Sequence, residues 1–403
     1  MLIVEPASRR RRSRQRVALA LAGGGPLGAF YQLGALHALA ECTEGLELTE
    51  LRAYVGVSSG SIIAACLANG ISTDDMARTF FTDDPAVPFP LTPGVLMQPA
   101  VREYVRCLMS VPSQLSNTAM RLVRDPWSSW AELLSPLSSL IPTGIFDNRP
   151  FERYLRELLS HGGRTNDFRQ LQSTLRIVAT DLNSGEEARF GEPGLDTVPI
   201  SEAIRASTAL PGLYTPVKIR GRTYVDGALL RTVHASLVLD QGADLLFSIN
   251  PLVTFDATRG SNLHRDLAEE GLSVVMGQTF RALIQSRMQI GMATYRKRYP
   301  YSDRMLLQPD RDDEAMFFAN VFRYRERRRL ADHAYQRTRR DLLMHEAQLA
   351  PMLKRHGITL RADRLRDRRR AFHTSVEDPH APTQIVSRQL NDALDRLSGL
   401  IGA

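Results

Sequence analysis

Cysteine is scarce in this 403-residue chain, which contains only Cys42, Cys66 and Cys107. The three lie in apolar surroundings and show no CxxC spacing, so the sequence predicts neither a disulfide framework nor a zinc site. Cysteines without such a pattern are typical of a protein in a reducing compartment. We therefore expect a cytoplasmic protein.

Long apolar runs are missing as well. Residues 17–22 follow a basic stretch and resemble part of a signal peptide, but the run is too short and ends in three glycines without a cleavage-site pattern. No later run approaches the roughly 20 apolar residues that a transmembrane helix needs. The sequence therefore predicts no cleavable signal peptide and no transmembrane helix, in a protein that is soluble or peripherally attached to a membrane.

Lysine is the third scarce residue, with Lys218, Lys297 and Lys354 as its only occurrences, so the formal net charge of +7 comes almost wholly from arginine. Two explanations fit this bias equally well: a solvated surface, and a surface that meets anionic lipid or nucleic acid. No zinc spacing, helix-turn-helix signature or aromatic-interleaved strand pair accompanies the basic stretches. We predict no nucleic-acid partner.

The apolar segments that are present predict an α/β fold. Short buried runs alternate with helical patterns from residue 17 to about residue 80, which is typical of a parallel sheet covered by helices. Three further strand signals complete the sheet, at 175–180, 222–225 and 244–249. Beyond residue 256 apolar residues recur at helical spacing to the end of the chain.

These patterns divide the chain into three parts. Residues 1–16 are predicted to be a disordered basic tail, residues 17–255 an α/β domain, and residues 256–403 a helical C-terminal region. Within the α/β domain, residues 82–143 are rich in proline and serine and are predicted to be an insertion or lid over the sheet.

A glycine-rich loop, Gly23–Gly28, joins the first predicted strand to the first helix. Gly23, Gly24, Gly25 and Gly28 expose backbone N–H groups beside a helix N-terminus, which is an arrangement that binds anions. The loop also matches the G-x-G-x-x-G pattern of dinucleotide-binding proteins. That function requires an acidic residue at the end of the second strand, and none is found there.

The second strand instead leads into Gly56-Val57-Ser58-Ser59-Gly60, a GxSxG sequence between an apolar strand and an apolar helix. In this setting the pattern predicts a nucleophile elbow, in which a strained turn exposes the oxygen of Ser58 while Gly56 and Gly60 let strand and helix pass closely. Attack by Ser58 on an ester would create an oxyanion, which the amides of the glycine loop could stabilise.

A serine nucleophile needs a base, and we find no convincing histidine. His37 lies inside a predicted helix, His161 in a surface-like turn, and His234 some residues beyond the nearest strand. Asp226 follows the apolar strand 223–225 and precedes Gly227 and Ala228, so its carboxylate is expected at the carboxyl end of a strand, where α/β sites lie.

In these motifs the sequence resembles the patatin-like phospholipase family across about residues 17–255. Residues 178–186 and 203–212 are also similar to blocks of that family. The resemblance implies a three-layer α/β/α sandwich with a mostly parallel sheet. It also implies a Ser58–Asp226 dyad without histidine, an oxyanion hole from Gly23, Gly24, Gly25 and Gly28, and a mechanism without metal or cofactor. Leu27 occupies a position where many members have arginine, so a nearby cation would be missing.

A lipid substrate raises the question of membrane contact. Residues 314–343 combine apolar side chains with many arginines and could form a basic amphipathic helix at an anionic bilayer surface, or could pack against the catalytic domain. The sequence favours packing against the catalytic domain and leaves a peripheral membrane contact as the alternative, and residues 136–146 could likewise be a lid or a core segment.

Three functions remain open on the sequence alone. The leading one is a serine hydrolase of phospholipid or lysophospholipid esters. A dinucleotide-dependent oxidoreductase is less favoured because the acid is missing, and a lipid-binding protein with a decayed hydrolase site is less favoured because Ser58 and Asp226 are both present.

Overall fold

The computed structural model describes residues 1–9, 15–81, 88–109, 142–230, 233–258, 266–318 and 326–376. The strands are β1 Leu2–Glu5, β2 Val17–Leu21, β3 Thr43–Glu44, β4 Ala53–Val57, β5 Gly144–Phe146, β6 Thr174–Asp181, β7 Glu187–Phe190, β8 Gly212–Tyr214, β9 Val217–Ile219, β10 Arg222–Asp226, β11 Leu245–Ile249, β12 Asp303–Leu307 and β13 Thr359–Leu360.

The helices are α1 Gly25–Glu41, α2 Ser59–Ala68, α3 Thr73–Phe81, α4 Pro93–Leu96, α5 at 101–109, α6 Arg149–Leu159, α7 Ile200–Ser207, α8 Ser236–Leu239, α9 Leu272–Arg298, α10 Glu314–Phe317, α11 Glu326–Met344, α12 Glu346–Lys354, α13 Ala362–Arg366 and α14 Phe372–Val376. Short 3-10 helices occur at Phe168–Gln170 and Gly227–Leu229. None of the described helices combines the length and apolar character that crossing a bilayer requires.

The main sheet has nine strands in the described part of the chain, in the order β1-β12-β11-β2-β4-β6-β10-β9, and β7 also pairs with β6. The five strands from β12 to β6 are parallel. β1, β7, β9 and β10 pair antiparallel with their neighbours. This confirms the α/β fold with a mostly parallel sheet and the strands expected at 17–22, 175–180, 222–225 and 244–249.

Helices cover both faces of this sheet. All five residues of β2 are buried, and their side chains alternate between two cores. Leu19 and Leu21 point into the larger core with α1, α2 and α11, whereas Ala18 and Ala20 belong to a second core with α8 and Met288 of α9. The three layers explain why the central strands read as continuous apolar runs.

Residues 1–9 are not part of the disordered tail that the sequence predicted for residues 1–16, because β1 forms an edge strand of the sheet. It pairs along its whole length with β12. Leu2 is buried, and the buried carboxylate of Glu5 accepts hydrogen bonds from Arg296 at 2.6 Å and from Arg304 at 3.1 Å. These long-range contacts order a segment whose composition alone suggests a tail. Residues 10–14 lie outside the described residues.

The C-terminal region is mostly helical, as expected, but it also contributes β12 to the sheet between β1 and β11. The strand is hard to recognise in the sequence because it opens with Asp303 and Arg304. Both are buried and paired: Asp303 forms an ion pair with Arg355 at 2.7 Å and a hydrogen bond with His356, and Arg304 pairs with Glu5. The sheet is therefore not complete at residue 255. The apolar pattern at 386–401 lies outside the described residues.

The segment 314–343 is not one continuous helix. It forms α10 and α11, and residues 319–325 lie outside the described residues. Leu330, Ala331 and Ala334 of α11 are buried in the larger core, where α11 packs along α1. The apolar side of α11 is thus used within the fold, which is the packing alternative that the sequence favoured for this segment.

Of the predicted insertion at 82–143, only residues 88–109, 142 and 143 are described. They include α4 and α5, and Pro99 forms a β-bridge with Phe146. The proposed lid or core segment at 136–146 is described from residue 142 onward, where β5 pairs with β8.

Candidate active site

Ser58 occupies a strained turn between β4 and α2. Its φ of 50° lies in the left-handed region, which residues other than glycine rarely adopt. The turn is held by Ser207, whose hydroxyl accepts a hydrogen bond from the Ser58 amide at 2.8 Å and donates one to the Val178 carbonyl at 2.6 Å. This is the geometry predicted for a nucleophile elbow.

Gly56 and Gly60 are required by the close passage of backbone on either side of Ser58. A Cβ at Gly56 would lie 2.5 Å from the Cα of Ser61, and a Cβ at Gly60 would lie 2.5 Å from the Leu21 carbonyl oxygen. Since each obstacle is backbone, a side chain at either position would have to displace the helix or a strand. Both positions therefore permit the close passage of strand and helix that the sequence led us to expect.

Strand register brings Asp226 to Ser58. Val57, the last residue of β4, pairs with Val178 of β6, and the next residue of β6, Ala179, pairs with Asp226 of β10. Ala179 also pairs with β7 on its other side. β10 therefore continues along the side of β6 where β4 ends, and this places Asp226 directly beside the elbow.

The two side chains form a hydrogen-bonded pair. The Ser58 hydroxyl donates to Oδ2 of Asp226 at 2.5 Å, and the amide of Ala228 donates to Oδ1 at 2.8 Å. Gly227 is needed between them because a Cβ there would lie 2.2 Å from the Val178 carbonyl oxygen. The Asp-Gly-Ala sequence thus turns the chain so that one carboxylate oxygen is anchored and the other faces Ser58.

The environment of Asp226 makes its carboxylate a stronger base. The side chain is buried, with 2% of its surface exposed. Burial raises the pKa of Asp226 to about 6, although the hydrogen bonds from Ser58 and Ala228 act in the opposite direction. A base is most effective when its pKa is near the working pH, so this shift suits proton transfer from a serine.

The glycine loop lies at the N-terminus of α1, next to Ser58. A Cβ at Gly23 would lie 3.0 Å from the Cβ atoms of both Ser58 and Ala228. Gly24 is covered by Pro251, and Gly25 has a φ of +61°, which favours glycine. Within the described residues, no hydrogen-bond acceptor is found for the amides of Gly24 and Gly25.

Gly28 differs from the other three glycines of the predicted oxyanion hole. Its amide donates to the Gly24 carbonyl at 3.0 Å and begins the hydrogen bonding of α1. A Cβ there would lie 3.0 Å from Pro251 and 3.2 Å from the hydroxyl of Ser59. The prediction that Gly28 donates to an oxyanion is therefore wrong, and the residue instead permits close packing of the loop.

Ser58 and Asp226 open into a cavity of about 650 Å³. Most of its described lining is apolar. The hydroxyls of Tyr154 and Tyr214 donate hydrogen bonds to the carbonyls of Phe89 and Leu96, respectively. Its apolar lining includes Leu27, Phe30, Ile62, Phe80, Leu91, Leu96, Phe151, Leu210, Leu213, Leu252, Val274, Phe280, Ile284, Met316, Phe317 and Phe318. Its volume is within the range of ordinary ligand pockets.

No histidine is among the described residues that line this cavity. His37 contacts Thr73 and Ser375, His161 stacks edge-on against Phe89, and His234 is buried with Nδ1 at 3.2 Å from Glu187. The structure thus leaves the carboxylate of Asp226 as the base nearest Ser58 within the described cavity.

Two residues of the site were not singled out from the sequence. Ser207 lies in the block 203–212 that resembles the family, so its position could have suggested a role beside the elbow. Arg281 comes from α9, in the C-terminal region, and lines the cavity together with Leu27. It is one of many arginines in the chain, and its sequence neighbours do not distinguish it.

The chain belongs to the patatin-like phospholipase family, whose profile matches residues 19–239. An uncharacterized protein of Acanthamoeba polyphaga mimivirus is 26% identical over 212 residues, which is 52% of this chain and 57% of the viral protein. An uncharacterized NTE family protein of Mycobacterium tuberculosis is 35% identical over 81 residues, 20% of this chain and 21% of that protein. The chain therefore spans little more than half of the length of the viral relative and less of the mycobacterial one.

Among solved structures, VipD from Legionella pneumophila is similar, with 19% identity and a TM-score of 0.34, covering 68% of this chain and 56% of VipD. ExoU from Pseudomonas aeruginosa, solved with SpcU, is similar with 16% identity and a TM-score of 0.27, covering 76% of this chain and 60% of the other. Both scores are below 0.5, so these structures do not bear on the function of this chain.

Proposed function

We propose that this protein is a serine acyl hydrolase that cleaves fatty-acyl esters of phospholipids or lysophospholipids. The observation that carries the proposal is the hydrogen bond of 2.5 Å from the Ser58 hydroxyl to the buried carboxylate of Asp226, inside a largely apolar cavity. An acyl chain can occupy the apolar part of the cavity while its ester carbonyl reaches Ser58.

The first half of the reaction forms an acyl-enzyme. Oγ of Ser58 attacks the ester carbonyl carbon while its proton moves to Oδ2 of Asp226. The carbonyl oxygen becomes an oxyanion, and the free amides of Gly24 and Gly25 are the candidate donors to it. When the intermediate collapses, the alcohol part of the lipid leaves and takes the proton from Asp226.

The second half releases the fatty acid. Water attacks the acyl-serine and gives a proton to Asp226, a second oxyanion forms at the same place, and its collapse restores the Ser58 hydroxyl with the proton returned from Asp226. Each step balances with water alone as co-substrate, so the proposed reaction needs neither a metal nor an organic cofactor.

The alternatives have less support. A dinucleotide would need an acidic group for its ribose near the glycine loop, and the acidic residue in the described cavity lining is Asp226, which is bound to Ser58 and Ala228. A lipid-binding protein with a decayed site would have no reason to keep Ser58 in a strained conformation beside that carboxylate.

Labelling with a fluorophosphonate probe tests the nucleophile. We expect the native protein to be labelled and Ser58→Ala to remain unlabelled, with hydrolysis of a phosphatidylcholine falling by about 10⁴-fold or more, because a nucleophile and its base act as a unit. Asp226→Asn is expected to lose labelling and hydrolysis similarly.

Ser160→Ala serves as the matched control, because Ser160 is an exposed serine at the end of α6. It should be labelled like the native protein. Labelling of Ser58→Ala at the native rate would show that another residue is the nucleophile and would end the proposal.

A further inference from the structure

Arg281 is the second charged residue, besides Asp226, among the described residues that line the cavity of Ser58. It lies on α9, whose residues Val274, Gly277 and Ile284 line the same wall. Its guanidinium stands over the ring of Phe317 at 4.5 Å from the ring centre. A cationic residue therefore lines the space that the proposed substrate would occupy, and it also lines a smaller neighbouring cavity beside Phe317.

This cation has no acidic partner within the described part of the chain, where Arg281 forms neither an ion pair nor a hydrogen bond. Burial lowers the pKa of Arg281 to about 10, and no neighbouring carboxylate raises it again. The side chain consequently remains charged at neutral pH. Burying an uncompensated charge is unfavourable, and the contact with Phe317 offsets only part of that penalty.

The other arginines of α9 differ from Arg281 in this respect. Arg287 donates to the carbonyls of Leu229 and Leu230, while Arg296 and Arg298 form ion pairs with Glu5 and Asp240. Arg281 alone among these four lines the cavity and has no partner from the described residues. No carboxylate, Asp226 included, contributes to the shift in the pKa of Arg281, which burial alone lowers.

We propose that Arg281 binds the phosphate group of a phospholipid substrate and so makes the site prefer phosphate-bearing acyl esters over neutral glycerides. The inference rests on the proposed function. A guanidinium matches phosphate oxygens with two parallel hydrogen bonds, and such charge-assisted bonds are stronger than those between neutral groups. In a phospholipid the ester and the phosphate share one glycerol unit, so the nucleophile and the cation can act on the same molecule.

The test compares two lipids that carry the same acyl chains, a phosphatidylglycerol and a diacylglycerol, in neutral detergent micelles. Arg281→Met keeps an apolar stem to pack against Phe317 but removes the charge. We expect the ratio of kcat/KM for the two lipids to fall by about tenfold to a hundredfold in this variant. Arg281→Lys should retain part of the preference, because it keeps the charge and loses the paired geometry.

Arg298→Met is the matched control, because it removes one positive charge from the exposed end of the same helix. Its lipid preference should equal that of the native protein. Hydrolysis of a short neutral nitrophenyl ester, which carries no phosphate, should fall less than hydrolysis of the phosphatidylglycerol in every Arg281 variant. Arg281→Gln provides a second neutral side chain in case Arg281→Met does not fold.

Two results would overturn the inference. One is an unchanged ratio of kcat/KM for the two lipids in both Arg281→Met and Arg281→Gln, which includes the case where hydrolysis of both lipids falls equally. The other is an unchanged ratio together with weaker inhibition by free oleate, which would assign Arg281 to the carboxylate of the fatty-acid product. If the native protein shows no hydrolysis that depends on Ser58, the proposed function fails as well, whereas Ser58-dependent hydrolysis without an Arg281 effect removes only this inference.

Discussion

Asp226 carries the proton in the proposed mechanism, so the titration of this one residue should govern the dependence of activity on pH. Burial raises its pKa to about 6. The carboxylate must be ionised to accept the proton of Ser58, and it becomes protonated as the pH falls through this value. The raised pKa therefore means that activity is present above pH about 6 and is lost below it.

Initial rates on a short neutral ester between pH 4.5 and 8.5 would measure this dependence. We expect kcat/KM to fall by about tenfold for each pH unit below the apparent pKa near 6, as for a single ionisation of the free enzyme. Circular dichroism at each pH would establish that the protein stays folded. A flat profile down to pH 5 would contradict the role of Asp226 as base.

At the scale of elements, the position of the glycine loop depends on α1, which is buried on nearly all sides. It lies between α2, α3 and α11, and Gly34 marks its closest approach to α11. A Cβ at Gly34 would lie 2.1 Å from the carbonyl oxygen of Ala331. The C-terminal helix α11 therefore packs directly onto the helix whose N-terminus forms the loop.

Gly34→Ala should consequently destabilise the protein, although alanine is the better helix former. The clash is with backbone, which cannot move away as a flexible side chain can, so the free energy of unfolding is expected to fall by about 1 to 3 kcal/mol or more. Urea denaturation would measure it. Gly94→Ala is the matched control, because a Cβ there meets no atom within 4 Å, and a Gly34→Ala protein as stable as that control would contradict the packing.

At the scale of the whole molecule, the N-terminal strand is joined to the C-terminal region through the sheet. β1 pairs with β12, and the buried pair Glu5–Arg304 lies at this junction. The guanidinium of Arg304, with 2% of its side chain exposed, also donates to the carbonyls of Tyr299 and Ser302. The N-terminal strand β1 thus forms one edge of the main sheet.

Glu5→Ala would leave the cation of Arg304 buried without its carboxylate. We expect the free energy of unfolding to fall by about 3 to 5 kcal/mol, the range typical when one partner of a buried pair is removed. Arg78→Ala, which breaks an exposed pair with Asp75, should change it by less than about 1 kcal/mol in the same urea experiment. Equal effects of the two substitutions would mean that β1 contributes little to the fold.

The local features of the site could be predicted from the sequence. The glycine loop between β2 and α1 and the elbow between β4 and α2 each depend on a few consecutive residues. In each motif the spacing of the glycines is typical of a strand that passes through a tight turn into a helix. The central strands were equally recognisable, because strands buried on both faces are apolar throughout. Asp226 could be predicted as a site residue because it ends such a strand, but no local sequence pattern shows that it lies beside Ser58.

Only the tertiary structure decided how distant segments meet. The contact of Ser58 with Asp226 follows from the register of three strands, and β1 and β12 become strands because Glu5, Asp303 and Arg304 find buried partners far along the chain. The amide of Gly28 takes part in the hydrogen bonding of α1 instead of the predicted oxyanion hole. Arg281 lines the cavity although it belongs to the C-terminal region. The physical reason is common to all of these features: hydrogen bonding within a turn depends on neighbouring residues, whereas burial and charge pairing depend on what packing brings near.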